Sequence, residues 1–255
     1  MTQPTDDAPA ARRRLGWGGT LLVLALWLAG GLVGAFAAYR VVGSESDDLV
    51  DPGATLALTA LPAVVALALV ALVVSRLRWW SPVLRDDRPA RPWIWVVPLG
   101  LAAVAGLALD RDRVAAAGAG LVAAAALSAL LVAASEELAF RGFLLVSLRD
   151  RYAELPAALL CTLLFGVAHM LAGGLSNLAQ GVLTVLAGFL YYVTRRVTRG
   201  LAGAVILHGW YDFCVFSAAL GPGSDDSSSL FGVAVGLLVL FAVALGGYRL
   251  WQPAR

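Results

Sequence analysis

The side chains best equipped for chemistry fall in three short stretches of this 255-residue chain. Glu136, Glu137 and Arg141 lie in SEELAFRGFLL, His169 in LLFGVAHM, and His208 with Asp212 in VILHGWYDF. The protein has no other histidines. A carboxylate can take a proton from water, and an imidazole can hold that water, pass a proton on or ligate a metal. All three stretches sit inside long apolar runs, where ionisable groups are costly and mark function by default.

Helical spacing sorts these groups. Glu137 and Arg141 are four residues apart, so they share a helix face and can pair. Glu136 points ~100° away and is left for other work. Phe165 and His169 are also four apart, which lets the ring brace the imidazole. His208 and Asp212 share a face too, so the carboxylate can fix the imidazole tautomer or join it as a second ligand.

The surrounding composition says what positions them. The chain is 60% hydrophobic and 14% charged, with a mean hydropathy of +0.81, against roughly 25% charged residues in soluble domains. Apolar spans are expected near 15–39, 53–75, 92–109, 114–147, 155–171, 176–194, 201–220 and 229–248. Each can cross ~30 Å of hydrocarbon, and only helices satisfy their backbone there. The expectation is an all-α, polytopic bundle of about eight transmembrane helices. Residues 1–14 form a disordered polar tail and 15–250 a single transmembrane domain. Every basic residue is arginine, which fits a GC-rich, bacterial coding bias. Fifteen of the nineteen arginines lie on one alternating set of loops and termini, which puts both termini in the cytoplasm of a cell-membrane protein. No basic stripe with interleaved aromatics supports nucleic-acid binding. Cys161 and Cys214 fall within spans and read as small buried hydrophobes.

The three motifs, EExxxR in EELAFR, FxxxH in FGVAH and HxxxD in HGWYD, occur in that order on polar-bearing spans over roughly 115–220. Together they resemble the CPBP family of intramembrane endopeptidases, the CAAX proteases and bacteriocin-processing enzymes. The resemblance implies hydrolysis of a membrane-associated peptide or protein. Asp212 departs from it, standing where many members have asparagine. The expected roles are Glu136 as the base that activates water, His169 holding the water, and His208 with Asp212 stabilising the oxyanion. Glu137, Arg141 and Phe165 would support them. A zinc site built from His169, His208 and a carboxylate of Glu136 or Asp212 stands beside a metal-free glutamate mechanism. A non-catalytic immunity or binding protein could keep every motif residue, whereas a transporter would want inverted repeats that are absent.

Counting from Arg149, Tyr152 and Arg199 puts Glu136, His169 and His208 at depths of ~20, ~25 and ~14 Å at 1.5 Å per residue, a spread that tilt must absorb if they are to meet. The expected site is a wet pocket opening to the cell interior. Among weaker signals, Trp79, Trp80, Trp93 and Trp95 suggest an interfacial belt. Trp210 and Tyr211 could line a cavity, and so could Asn177 and Gln180. Arg195, Arg196 and Arg199 read as topology determinants. No pattern reports the oligomeric state or the substrate's identity.

Overall fold

The computed structural model describes residues 14–43, 51–88, 90–173, 178–221 and 228–252, and in these it is helical, with no strand beyond an isolated bridge between Arg85 and Gly200. The N-terminal tail up to residue 13, the acidic segment after Gly43 and Asn177 lie outside the described residues. The elements are α1 (Trp17–Val42), α2 (Pro52–Leu77), α3 (Trp80–Leu84), α4 (Pro92–Gly106), α5 (Arg111–Ala116), α6 (Gly118–Arg149), α7 (Glu154–Gly173), α8 (Leu178–Thr198), α9 (Leu201–Phe216), α10 (Ser228–Gly246) and α11 (Tyr248–Trp251).

Local sequence sets their ends. Asp51 caps α2 by accepting from the Ala54 amide at 2.8 Å, with Pro52 at the first helical position, where its missing N–H costs nothing. Asp110 caps α5 in the same way, at 3.0 Å from the Arg113 amide. Eight of these helices coincide with the expected spans. Among the described residues five are long and apolar enough to cross a membrane: α1, α2, α6, α7 and α9. The apolar part of α10 (Gly232–Gly246) and the whole of α4 are shorter, and α8 is the most polar of the long helices. Gly34 lets α1 cross closely over α2, since a Cβ there would lie 2.6 Å from the Pro62 Cα. This is the close approach that small residues permit between membrane helices.

The two ends of the bundle differ. One gathers the arginine-bearing segments. Arg149 reaches Asp86 at 2.9 Å and Glu154 at 2.6 Å, and Arg196 reaches Glu154 at 3.0 Å. The Asp86 amide donates to the Arg199 carbonyl, the Arg91 amide donates to the Trp251 carbonyl, and Arg151 lies over the Trp17 ring. The opposite end holds Asp110, whose amide donates to Ser217 Oγ, and Arg113, which donates to the Leu220 carbonyl.

Two of the weaker expectations change here. Arg195 and Arg196 are not loop charges facing water; both are buried. Arg195 donates to Asp86 Oδ2 at 3.1 Å, to the carbonyls of Pro82, Val83 and Arg85 at 2.8–2.9 Å, and to the Arg141 carbonyl. Loop charge alone cannot reveal such burial, because the acceptors come from two other segments, residues 82–86 and α6. Trp79 is likewise fully buried, stacked on Phe143 at 5.6 Å, while Trp80, Trp93 and Trp95 remain exposed.

Candidate active site

The site begins in the middle of α6, where residues Leu138–Leu144 form a π-helical stretch. Such stretches occur mostly as single-turn bulges and often at functional sites. Two of its carbonyls find donors outside the helix. Cys161 Sγ donates to the Phe140 carbonyl at 3.3 Å, and Arg195 donates to that of Arg141. Glu137 and Arg141 pair as their spacing predicts, at 2.7 Å, with both side chains fully buried. The Arg141 guanidinium lies 4.0 Å from the Phe165 ring centre, a cation–π contact in a desolvated setting.

Glu137 does more than its spacing suggests. Its Oε1 also accepts from His208 Nδ1 at 2.9 Å. It is therefore Glu137, and not Asp212, that fixes this imidazole. Asp212 Oδ2 stands 3.5 Å from the other ring nitrogen, Nε2. His169 Nδ1 donates to the Phe165 carbonyl at 3.0 Å, and the Phe165 ring meets His169 edge-on at 4.5 Å. With both Nδ1 positions spent on acceptors, each neutral imidazole keeps its Nε2 lone pair for the cavity.

Glu136 lies between those two nitrogens. Its Oε2 is 3.6 Å from His169 Nε2 and 3.6 Å from His208 Nε2. That is too long for a hydrogen bond and too short to admit a water between the atoms, so a water touching all three would sit above them on the cavity side. The same oxygen is buried and has no hydrogen-bond partner among the described residues. The depths inferred from sequence thus converge.

A cavity of about 580 Å³ opens over these groups, lined by Glu136, His169, His208 and Asp212, with Tyr211 and Gln180 also on its wall. Trp210 faces away and donates to the Ala102 carbonyl at 3.0 Å. Sequence reasoning missed Tyr191, which no motif marks. Its ring stacks on His208 at 4.2 Å and 19°, and its buried hydroxyl has no partner among the described residues.

All seven residues singled out from spacing lie in one segment, and that segment has relatives. Residues 118–214 match the family model for type II CAAX prenyl endopeptidase Rce1-like proteins. The Rce1-like stretch runs from the start of α6 almost to the end of α9 and agrees with the expected motif core of 115–220. This is a peptidase family of membrane proteins. No curated protein and no solved structure matches the chain.

Among the described residues, no three His, Cys, Asp or Glu side chains are arranged to hold a metal ion.

Gly188 supplies a test of the site's support. A Cβ there would lie 2.7 Å from Arg141 Nη2 and 3.1 Å from the Phe165 ring. Gly188→Ala is expected to displace the guanidinium and lower stability by about 1–3 kcal/mol, as overpacking does. A melting temperature equal to wild type in detergent would contradict this placement of Arg141.

Proposed function

We propose that the protein is an intramembrane endopeptidase of eight spans with both termini in the cytoplasm, a single domain over 15–250 in a bacterial plasma membrane. Its substrate is a membrane-associated peptide or protein. One observation carries the reading: the Glu136 carboxylate and the Nε2 atoms of His169 and His208 meet at 3.6 Å on the wall of one cavity.

Glu136 removes a proton from a water held against His169 Nε2 as the water oxygen bonds to the scissile carbonyl carbon. His208 donates Nδ1–H to Glu137 and, when it carries a second proton, turns Nε2–H toward the oxyanion that forms. Asp212 steadies that imidazole from the cavity side. The C–N bond then breaks, and the proton taken by Glu136 passes to the departing amine. Glu137, Arg141 and Phe165 act by orienting the others.

The alternative, a non-catalytic immunity or binding protein that keeps every motif residue, differs from it in predicting no cleavage. The membrane peptidome of cells carrying the wild-type protein should contain fragments absent from cells carrying Glu136→Gln at equal abundance. Identical peptidomes would overturn the hydrolase reading.

A further inference from the structure

Burial along the site helices is lopsided. Every residue of α6 from Glu137 to Leu148 is buried, as is every residue of α8 from Ala187 to Arg196. These stretches run from the catalytic groups toward the arginine-bearing end, where Arg195, Arg196, Asp86 and Arg149 tie α3, α6 and α8 together. A solid plug thus separates the site from that end.

Among the described residues the packing loosens toward the other end. The cavity follows α8 from Tyr191 back through Ala187, Thr184 and Leu183 to Ala179, and α9 from His208 forward to Phe216. The step from Ala179 to Tyr191 covers about 18 Å along the axis of α8. Ala179 is exposed. A second, apolar cavity of about 240 Å³ touches Glu136 from between α1 and α2, through Trp27, Thr59 and Val132. It too has no lining residue from the arginine-bearing end.

From this asymmetry, together with the positive-inside bias, we infer that the site is reached from the non-cytoplasmic face, so that its substrate is a peptide segment on the exported side of the membrane. The expected pocket opening to the cell interior is replaced by one closed on that side. The side of access rests on the geometry and the charge bias; only the peptide rests on the hydrolase reading. The lining adds a restriction. Leu183, Ala187, Val215 and Phe216 suit apolar side chains, while Glu136 and Asp212 give the floor two carboxylates and no arginine lines it.

The test places single cysteines in the full-length protein in cells, with the unmodified chain as blank, since Cys161 and Cys214 are buried. A membrane-impermeant maleimide should label Ala179→Cys in intact cells and Arg85→Cys only after permeabilisation. Leu183→Cys, deeper in the same cavity, serves as a second reporter should the first variant fail to accumulate. Reversed labelling overturns the inference. In purified enzyme, a bulky maleimide on Ala179→Cys should slow cleavage of a membrane-anchored peptide at least tenfold and one on Arg85→Cys less than twofold; equal slowing also counts against it. Should no variant cleave anything, the hydrolase reading fails, while the labelling still decides the side of access.

Discussion

Purified Glu136→Gln is expected to cleave a membrane-anchored peptide roughly 10²–10⁴-fold more slowly than wild type, the range that a positioned general base supplies. The substitution keeps the size and shape of the side chain and removes only its capacity to take a proton. Among the described residues Glu136 Oε2 makes no hydrogen bond, so the substitution breaks none at that atom. The variant should therefore melt close to wild type, and the loss should fall on kcat. His169→Ala tests the partner: it should lose rate as well, since the water would be held from one side only. Full cleavage by either variant would remove the proposed mechanism. A chelator series on the wild-type enzyme belongs to the same experiment. Activity that survives chelation is the expected result, and loss of activity restored by zinc would transfer the role of Glu136 to a metal.

The second large effect is structural. Arg141→Met should destabilise the protein by about 3–5 kcal/mol, because it strands a buried carboxylate. In the native protein Glu137 Oε1 receives both Arg141 and His208. Without the cation, only the imidazole remains to balance a charge in a fully enclosed position. The double variant Glu137→Gln/Arg141→Met should recover part of the loss, since neither charge is then unpaired, and their interaction free energy isolates the pair. Thermal melting in detergent reads both. A single variant as stable as wild type, or a double variant worse than the sum of the singles, would show that the pair does not hold α6 as described.

The chain order of helices was legible from hydropathy because each span must bury apolar surface and satisfy its own backbone. Pairs on one helix were legible for an equally local reason. Residues four apart share a face whatever surrounds them, and so Glu137 met Arg141 and Phe165 met His169 as their spacing required. The ordered motifs also marked the segment that proved Rce1-like.

Relations between helices were not legible. Which carboxylate holds His208 depends on the rotation and depth of α6 against α9, and this favours Glu137 over the nearer-in-sequence Asp212. Tyr191 stacks on His208 from a third helix and carries no spacing signature. The arginine count located one end of the bundle correctly but treated Arg195 and Arg196 as surface charge; they are buried because Asp86, Glu154 and a set of loop and π-helical carbonyls converge on them. That convergence also closes one end of the site. Periodicity reports what a residue does to its own helix, whereas a cavity is defined by what several helices leave unfilled, and only their packing determines where that space lies.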